Sequence, residues 1–229
     1  MKNNVTISFA ITVCNEHEEL KKLLDQLLQL IKTDDEIVIQ VDETNSTLEV
    51  RELIEEYQHK HKCIKHFIFP LNYDFGTFKN NLKNNCTKKY IFQIDADEQL
   101  GVFLIDIHNI LETNPDIDLF HLSRINTVSG ITPDYIHRMG WNVDYKNYYE
   151  GHPIINWPDL QSRIFKNLKR IKWINKVHER IVGYKTHSII SNGVGHDIDG
   201  NRRFSLIHQK SFNKQLLQND FYDQILKLK

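Results

Sequence analysis

The chain has 229 residues and a formal net charge of −1, because 29 Lys and Arg residues nearly balance 30 Asp and Glu residues. This balance gives no general attraction to nucleic acid, which is therefore not an expected partner. No segment reaches the roughly 18 apolar residues of a transmembrane helix, and the apolar run near the N-terminus is more typical of a strand than of a signal peptide. The three cysteines, Cys14, Cys63 and Cys86, are scattered, and we expect reduced thiols in a soluble cytoplasmic protein.

Strand and helix patterns alternate over roughly the first 120 residues. β-rich runs predict strands at Val5–Val13, Glu36–Val41, Ile64–Phe69, Tyr90–Ile94 and Asp118–Ile125. Apolar residues at helical spacing predict helices at Leu20–Ile31, Val50–Tyr57, Phe75–Cys86 and Val102–Thr113. Because strands separated by single helices pair in parallel, the predicted fold class is α/β, with a Rossmann-like, doubly wound and mostly parallel sheet.

The pattern changes at about Thr127, where aromatic residues crowd a stretch without a clean period, from Trp141 to Trp157. Short strands are predicted at Gln161–Phe165, Ile171–Trp173 and Val177–Gly183, and a polar helix at Asn213–Lys227. No Gly-, Ser- or Pro-rich linker separates the two parts. The predicted organisation is one domain, residues 1–229, with a regular half at about 1–126 and a more irregular half at about 127–229.

Acidic and amide side chains follow three of the predicted strands. Asn15 and Glu16 follow the first strand, Asp42 the second, and Asp95 and Asp97 the fourth. Ligands of parallel α/β sheets bind beyond the carboxyl ends of the strands, so these groups are expected to meet at one edge. The sequence therefore predicts a ligand site there.

The segment DAD, residues 95–97, indicates a metal ion at this site. Side chains alternate along extended backbone, so Asp95 and Asp97 are expected to point the same way. Two carboxylates form a hard-oxygen site for Mg²⁺ or Mn²⁺, which recruits substrate phosphates as further ligands. Glu98 is expected to belong to the same cluster, and Arg163 to pair with a buried carboxylate.

These features resemble the inverting family 2 glycosyltransferases of the GT-A fold. The segments that carry the resemblance are TVCNE (residues 12–16), the Asp42 strand end, FGTFKNN (75–81) and FQIDADEQL (92–100). Thr12 replaces the proline of the family's first turn, and Lys79 replaces the arginine of its F-G-x-x-R-N segment. DETNST, which starts at Asp42, replaces the usual Asp-Gly-Ser-like continuation.

The second half resembles one branch of that family, the lipopolysaccharide-core β-glucosyltransferases. The matching segments are Gly140-Trp141, WPDLQSRIF (157–165) and WINKVHE (173–179). The resemblance extends over roughly Ile7 to His208. It implies a donor half followed by an acceptor and catalytic half.

The resemblance also implies a role for each matching residue. Residues expected to bind the donor nucleotide are Thr12, Asn15, Glu16, Asp42, Lys79 and Asp95, with Asp42 reading a uracil. Residues expected at a Mn²⁺ or Mg²⁺ ion are Asp95, Asp97, His178 and His208. Glu179 is the expected general base, and Asp159 is its rival or an acceptor-positioning group. His196 is a weaker candidate for the site.

The implied reaction transfers a sugar, with inversion, from a nucleotide diphosphate donor such as a UDP-sugar to a hydroxyl group. The implied acceptor is a glycan or a lipid-linked oligosaccharide, with peripheral membrane contact. The aromatic residues between Trp141 and Trp157 could stack on a sugar ring or simply pack the irregular half.

Other function classes stay open at this point. A phosphatase of the haloacid-dehalogenase type places its D-x-D motif on the first strand, whereas DAD follows the fourth. A sugar-nucleotide pyrophosphorylase needs a Gly-rich loop after the first strand, where this chain has TVCNEHEE. The absence of Asp97 or Glu179 would favour a non-catalytic nucleotide- or glycan-binding GT-A relic, but both residues are present.

Overall fold

The computed structural model of the chain describes residues 5–101, 106–190 and 205–227. Its helices are α1 His17–Leu30, α2 Leu48–Lys60, α3 Phe75–Asn85, α4 Ile107–Thr113, α5 Pro133–Met139 and α6 Phe212–Lys227. Its first seven strands are β1 Ile7–Val13, β2 Glu36–Asp42, β3 Ile64–Phe69, β4 Tyr90–Asp95, β5 Glu98–Leu100, β6 Leu119–Ser129 and β7 Val143–Tyr149. The others are β8 His152–Ile155, β9 Gln161–Lys166, β10 Lys172–Ile174, β11 Arg180–Val182, β12 His187–Ile189 and β13 Ser205–Ser211.

Within these described ranges, eight strands follow one another in a single sheet in the order β3-β2-β1-β4-β9-β6-β13-β5. β9 is antiparallel to both β4 and β6, and β5 is antiparallel to β13. The other neighbours in this order are parallel. The sheet is therefore mostly parallel, as predicted, and it runs through both halves of the chain.

The two faces of the sheet are covered by different helices. Phe9 and Ile11 belong to the same apolar cluster as the buried leucines of α1, whereas Ala10 packs with Leu82 of α3 on the other face. This alternation follows from the period of two along a strand. Because both faces are covered, all seven residues of β2 are buried.

The structure confirms the strand and helix assignments of the first half, with ends shifted by a few residues. The helix predicted from Val102 begins at Ile107, and residues 102–105 lie outside the described residues. The strand predicted at Val177–Gly183 is reduced to Arg180–Val182, so His178 and Glu179 lie in the loop before β11.

The second half is less irregular than predicted. β7, β8, β12, β13 and the helix α5 were not expected there, nor was β5 in the first half, and the aromatic stretch contains the β7–β8 hairpin. Tyr145 and Tyr148 of this hairpin are largely exposed. The hairpin therefore lacks the alternation of buried apolar residues from which a strand is predicted. Trp141 instead packs against Tyr135 of α5, with ring centroids 5.7 Å apart.

None of the helices in the described ranges has the length and apolar character that crossing a membrane requires.

Candidate active site

A cleft of about 1520 Å³ opens beyond the carboxyl ends of β1, β2 and β4. These strands are parallel neighbours, so their ends bring residues distant in sequence to one edge. Every predicted site residue in the described ranges lines this cleft: Thr12, Asn15, Glu16, Asp42, Lys79, Asp95, Asp97, Asp159, His178, Glu179 and His208. His196 lies outside the described residues.

Asp95 is held by a set of donors at the end of β4. Its Oδ1 accepts a hydrogen bond from Thr12 Oγ1 at 2.9 Å and lies 3.2 Å from Lys79 Nζ. Its Oδ2 accepts from Arg163 Nη2 at 2.9 Å. Burial opposes ionisation, but Arg163 and Lys79 outweigh it and hold the pKa of Asp95 well below its usual range. Asp95 is therefore a fixed anion with both oxygens engaged, and its role as a metal ligand stays a prediction.

Glu98 lies away from the cleft, contrary to the expectation that it joins a metal cluster. It is fully buried and is paired with Arg163 and with Arg124, whose Nη1 is 3.1 Å from Glu98 Oε1. The backbone N–H of Asp95 donates to its other carboxylate oxygen at 3.1 Å. The expectation that Arg163 pairs with a buried carboxylate is confirmed.

Asp97 faces a different group of side chains. Its Oδ2 lies 3.3 Å from His208 Nε2, 3.5 Å from Lys214 Nζ and 3.9 Å from Lys210 Nζ. Burial alone would raise the pKa of Asp97, but His208 and the two lysines lower it well below its ordinary value. Asp97 is thus an anion at neutral pH.

Asn126 of β6 determines which nitrogen of His208 carries a proton. The amide group of Asn126 donates from Nδ2 to Asp159 at 2.7 Å, so its Oδ1 must accept the hydrogen bond from His208 Nδ1 at 2.9 Å. A protonated His208 also donates from Nε2 to Asp97, whereas a neutral His208 with its proton on Nδ1 presents the Nε2 lone pair beside the carboxylate.

Asp97 and the neutral form of His208 fit a divalent metal ion. A lone pair and a carboxylate oxygen that face each other are two ligands of the kinds Mn²⁺ accepts, and donor phosphates can complete the coordination. No group of three or more His, Cys, Asp or Glu side chains able to hold a metal exists within the described ranges. Of the four predicted ligands, Asp97 and His208 are the two in direct contact, and the metal roles of Asp95 and His178 stay predictions.

His178 lies apart from that pair. Its side chain is exposed, its backbone has φ 54°, and its ring contacts Tyr222 of α6 at a centroid distance of 6.1 Å. A left-handed conformation is unusual for histidine and occurs at functional or strained positions. His178 therefore borders the cleft between the β10–β11 loop and α6.

Glu179 is paired with Lys79 of α3. Glu179 Oε1 lies 2.7 Å from Lys79 Nζ, and Lys79 is 4% exposed. Burial would raise the pKa of Glu179, but the Lys79 ammonium lowers it below its ordinary value. The ammonium also lies 5.0 Å from the centroid of the Trp173 ring, and this cation–π contact stabilises the positive charge of Lys79.

The FGTFKNN segment fixes α3 against β10 and the loop that carries Glu179. Asn80 donates from Nδ2 to the Trp173 carbonyl at 2.8 Å and accepts from the Trp173 N–H at 2.9 Å. A Cβ atom on Gly76 would lie 2.5 Å from the carbonyl oxygen of Asn175, so only glycine allows this approach. This segment therefore positions both Lys79 and Glu179.

Asp159 lines the cleft two residues before β9. Its Oδ2 accepts from Arg124 Nε at 2.9 Å and from Asn126 Nδ2 at 2.7 Å, and its Oδ1 accepts from Gln161 Nε2 at 2.9 Å. Burial opposes ionisation, but Arg124 and these hydrogen bonds lower the pKa of Asp159. Its φ of 36° places it in the left-handed region.

Asp42 is buried at the end of β2, with 2% of its surface exposed. Its oxygens accept from the backbone N–H groups of Thr44 and Leu71, at 3.2 and 3.1 Å, and from Asn45 Nδ2 at 2.9 Å. The Cys14 thiol is 3.9 Å away and supplies a weak fourth donor. A uracil N3–H would therefore have to take the place of one of these donors.

Glu16 organises the turn after β1. Its carboxylate accepts from the backbone N–H groups of Cys14 and Asn15, at 2.8 and 3.0 Å. Burial raises the pKa of Glu16, and the negative charge of Asp97 adds to that effect. Glu16 thus shapes the turn that exposes Asn15 to the cleft.

The residues of the site that were not predicted include Arg124, Asn126, Lys210 and Lys214. The sequence contained a signal for one of them. His208 and Lys210 are two residues apart in LIHQK, which is the spacing of neighbours on one face of a strand, but β13 itself was not predicted.

Comparison with known families identifies this architecture. Residues 8–172 match the sequence model of glycosyl transferase family 2. The chain belongs to this family. The narrower resemblance to lipopolysaccharide-core enzymes stays a prediction, and no curated protein matches the sequence.

Solved structures of Staphylococcus aureus TarS have the same fold. TarS 1–349 aligns with a TM-score of 0.58 at 11% identity, over 98% of this chain and 64% of that chain. The structure of TarS 1–349 with UDP-GlcNAc gives a TM-score of 0.59 at 12% identity, over 90% of this chain and 59% of that one. This family 2 chain therefore spans less than two thirds of these TarS chains, and its predicted GT-A fold is confirmed.

Proposed function

We propose that this family 2 chain is an inverting glycosyltransferase that uses a nucleotide diphosphate sugar. The observation that carries the proposal is the convergence of the Asp97–His208 pair with Glu179 and Asp159 in one cleft at the carboxyl ends of the parallel strands. Inversion requires a metal- or cation-stabilised leaving group on one side and a carboxylate base on the other. The cleft offers candidates for each role: the Asp97–His208 pair for the leaving group, and Glu179 or Asp159 for the base.

A UDP-sugar is the proposed donor. TarS has been solved with UDP and with UDP-GlcNAc, and its fold matches that of this chain. The expected acceptor is a hydroxyl group of a glycan or a lipid-linked oligosaccharide, approached by a cytoplasmic enzyme with peripheral membrane contact. Next to the main cleft, a recess of about 450 Å³ lined by Tyr145 and Trp157 offers aromatic faces for such an acceptor.

In the proposed mechanism, Glu179 removes the proton of the acceptor hydroxyl as that oxygen attacks the anomeric carbon. Its lowered pKa keeps it ionised at neutral pH. Asp97 and His208 would hold Mn²⁺ or Mg²⁺, which supplies positive charge to the leaving diphosphate. Asp95, neutralised by Lys79 and Arg163, positions the ribose side of the donor.

A screen of nucleotide sugars for transfer or hydrolysis, with and without EDTA, tests this proposal. We expect UDP-sugars to react in the presence of Mn²⁺ and the Asp97→Ala variant to fold but not to react. Full activity in excess EDTA would contradict the metal assignment. Donor binding with neither hydrolysis nor transfer would favour the non-catalytic relic.

The role of Asp42 is tested separately through base selectivity. UDP is expected to raise the melting temperature more than ADP or CDP, because a site built around one hydrogen bond rejects bases that leave it unpaired. Asp42→Asn should reduce that difference. Equal stabilisation of the wild type by all three nucleotides would contradict a uracil-reading Asp42.

A further inference from the structure

Two lysines face the donor side of the cleft and are not among the predicted site residues. Lys210 follows His208 by two residues on β13, and Lys214 lies in the first turn of α6. Both line the cleft, and both ammonium groups approach the same oxygen of Asp97, at 3.9 and 3.5 Å. A single carboxylate thus faces two ammonium groups.

The surroundings of Lys210 do not satisfy its charge. Lys210 is 7% exposed, and its ammonium donates a hydrogen bond to the neutral side-chain oxygen of Gln218. Within the described ranges its one ion pair is with Asp97, at a distance too long for a hydrogen bond. An ammonium group has three N–H donors, and burying it without partners is costly. The geometry therefore leaves hydrogen-bonding capacity directed at the cleft.

Two other buried cations of the cleft are already committed to fixed anions. Lys79 neutralises Asp95 and Glu179, and Arg163 neutralises Asp95 and Glu98. Lys214 is shared between Asp97 and Glu19, whose Oε1 is 3.2 Å from its Nζ. The one Asp97 oxygen that both ammonium groups approach cannot satisfy all of their N–H donors, so donors remain for another anion with or without a metal.

We propose that Lys210 and Lys214 bind the diphosphate of the donor directly, as a second positively charged element beside the Asp97–His208 pair. This inference rests on the proposed function, because it assumes that a nucleotide diphosphate enters the cleft. The two lysines would then contribute to tighter binding of a nucleoside diphosphate than of a monophosphate. A component of diphosphate binding is therefore independent of metal.

Equilibrium binding of UDP and UMP, measured by calorimetry in EDTA and again with Mn²⁺, tests the inference. Hydrogen bonds from charged groups are worth enough that each lysine should contribute about tenfold. We expect the wild type in EDTA to bind UDP at least about tenfold more tightly than UMP. The Lys210→Met/Lys214→Met variant should lose most of this ratio.

Lys83→Met is the matched control, because Lys83 is also 7% exposed but does not line the cleft. The ratio of UDP to UMP affinity is measured within each protein, so a partly unfolded variant does not distort it. If the double variant keeps the wild-type ratio of UDP to UMP affinity, or if the wild type in EDTA binds UDP and UMP equally well, this inference alone is overturned. Failure of the wild type to bind UDP under any condition would instead overturn the proposed function.

Discussion

The two carboxylates that compete for the role of base are held in opposite ways. Glu179 lies in a loop of the small β10–β11 sheet and has one charged partner, Lys79. Asp159 borders the main sheet and accepts hydrogen bonds from three side chains, Arg124, Asn126 and Gln161. A carboxylate whose lone pairs are largely occupied has less capacity for an acceptor proton. The difference favours Glu179 as the base and Asp159 as a positioning group.

The largest expected effect comes from exchanging these carboxylates for amides. Removal of a general base costs roughly 10²–10⁴-fold in rate. Glu179→Gln should lose this much in kcat, with donor affinity little changed, whereas Asp159→Asn should lose much less. Steady-state kinetics with a competent UDP-sugar gives the measurement. If Glu179→Gln stays active and Asp159→Asn does not, the assignment of the two roles is reversed.

A second prediction concerns Asn126, which connects the two sides of the cleft through Asp159 and His208. Groups that orient a metal-bound histidine typically contribute 10–100-fold to metal affinity. Asn126→Ala should weaken Mn²⁺ binding by about this factor. Electron paramagnetic resonance titration of Mn²⁺ in the presence of UDP measures the affinity.

The exposed Asn109 of α4 provides a control for the second prediction. Asn109→Ala should bind Mn²⁺ as the wild type does. Unchanged affinity in Asn126→Ala would show that the orientation of His208 does not depend on this amide.

The donor side of the site was far more accessible from sequence than the hydrogen-bonded network around it. Asp42, Asp95 and Asp97 follow strands with strong apolar patterns, and parallel topology alone brings such ends together. Asn126 lies inside β6, and its importance comes from long-range pairing with β13 and with the turn before β9. Local patterns contain no information about such pairing, so neither this residue nor β13 was predicted.

The β7–β8 hairpin and the Glu179 loop also show why segments without periodicity were misjudged. The β7–β8 hairpin packs at the edge of β6 and leaves Tyr145 and Tyr148 exposed, so it lacks the alternation that marks a half-buried strand. The loop of Glu179 was assigned to a strand because Val177 and Ile181 are apolar, although His178 has a positive φ that ends extended structure there.

A third prediction concerns pH and the Lys79–Glu179 pair. Lys79 lowers the pKa of Glu179 against the effect of burial, so the base stays ionised below the ordinary pKa of glutamate. Lys79→Met removes the ammonium, so burial and the nearby charge of Asp95 should raise the pKa of Glu179. The acidic limb of the kcat profile should move to higher pH. Lys83→Met on the same helix should leave the limb in place. An unmoved limb in Lys79→Met would show that the ionisation of Glu179 does not control kcat.

The smallest expected effect is a change in stability at Gly76, where α3 meets the loop after β10. Replacing glycine by alanine inside a helix normally stabilises a protein by roughly 0.5–1 kcal/mol. Here the new Cβ would lie 2.5 Å from the carbonyl oxygen of Asn175, so α3 and the Glu179 loop must separate. Overpacking of this kind costs about 1–3 kcal/mol, and about 1 kcal/mol lowers Tm by roughly 2–4 °C in a chain of this size.

Gly76→Ala should therefore lower Tm, whereas Asn84→Ala, at an exposed position of the same helix, should leave it unchanged or raise it slightly. Transfer should also fall in Gly76→Ala, because the displacement moves Glu179 relative to the donor while Asp159 stays on the main sheet. Thermal unfolding and kcat measured on the same samples separate the two outcomes. A rise in Tm with normal kcat would show that the loop moves without loss of stability. It would also show that the position of Glu179 does not depend on the close approach of α3.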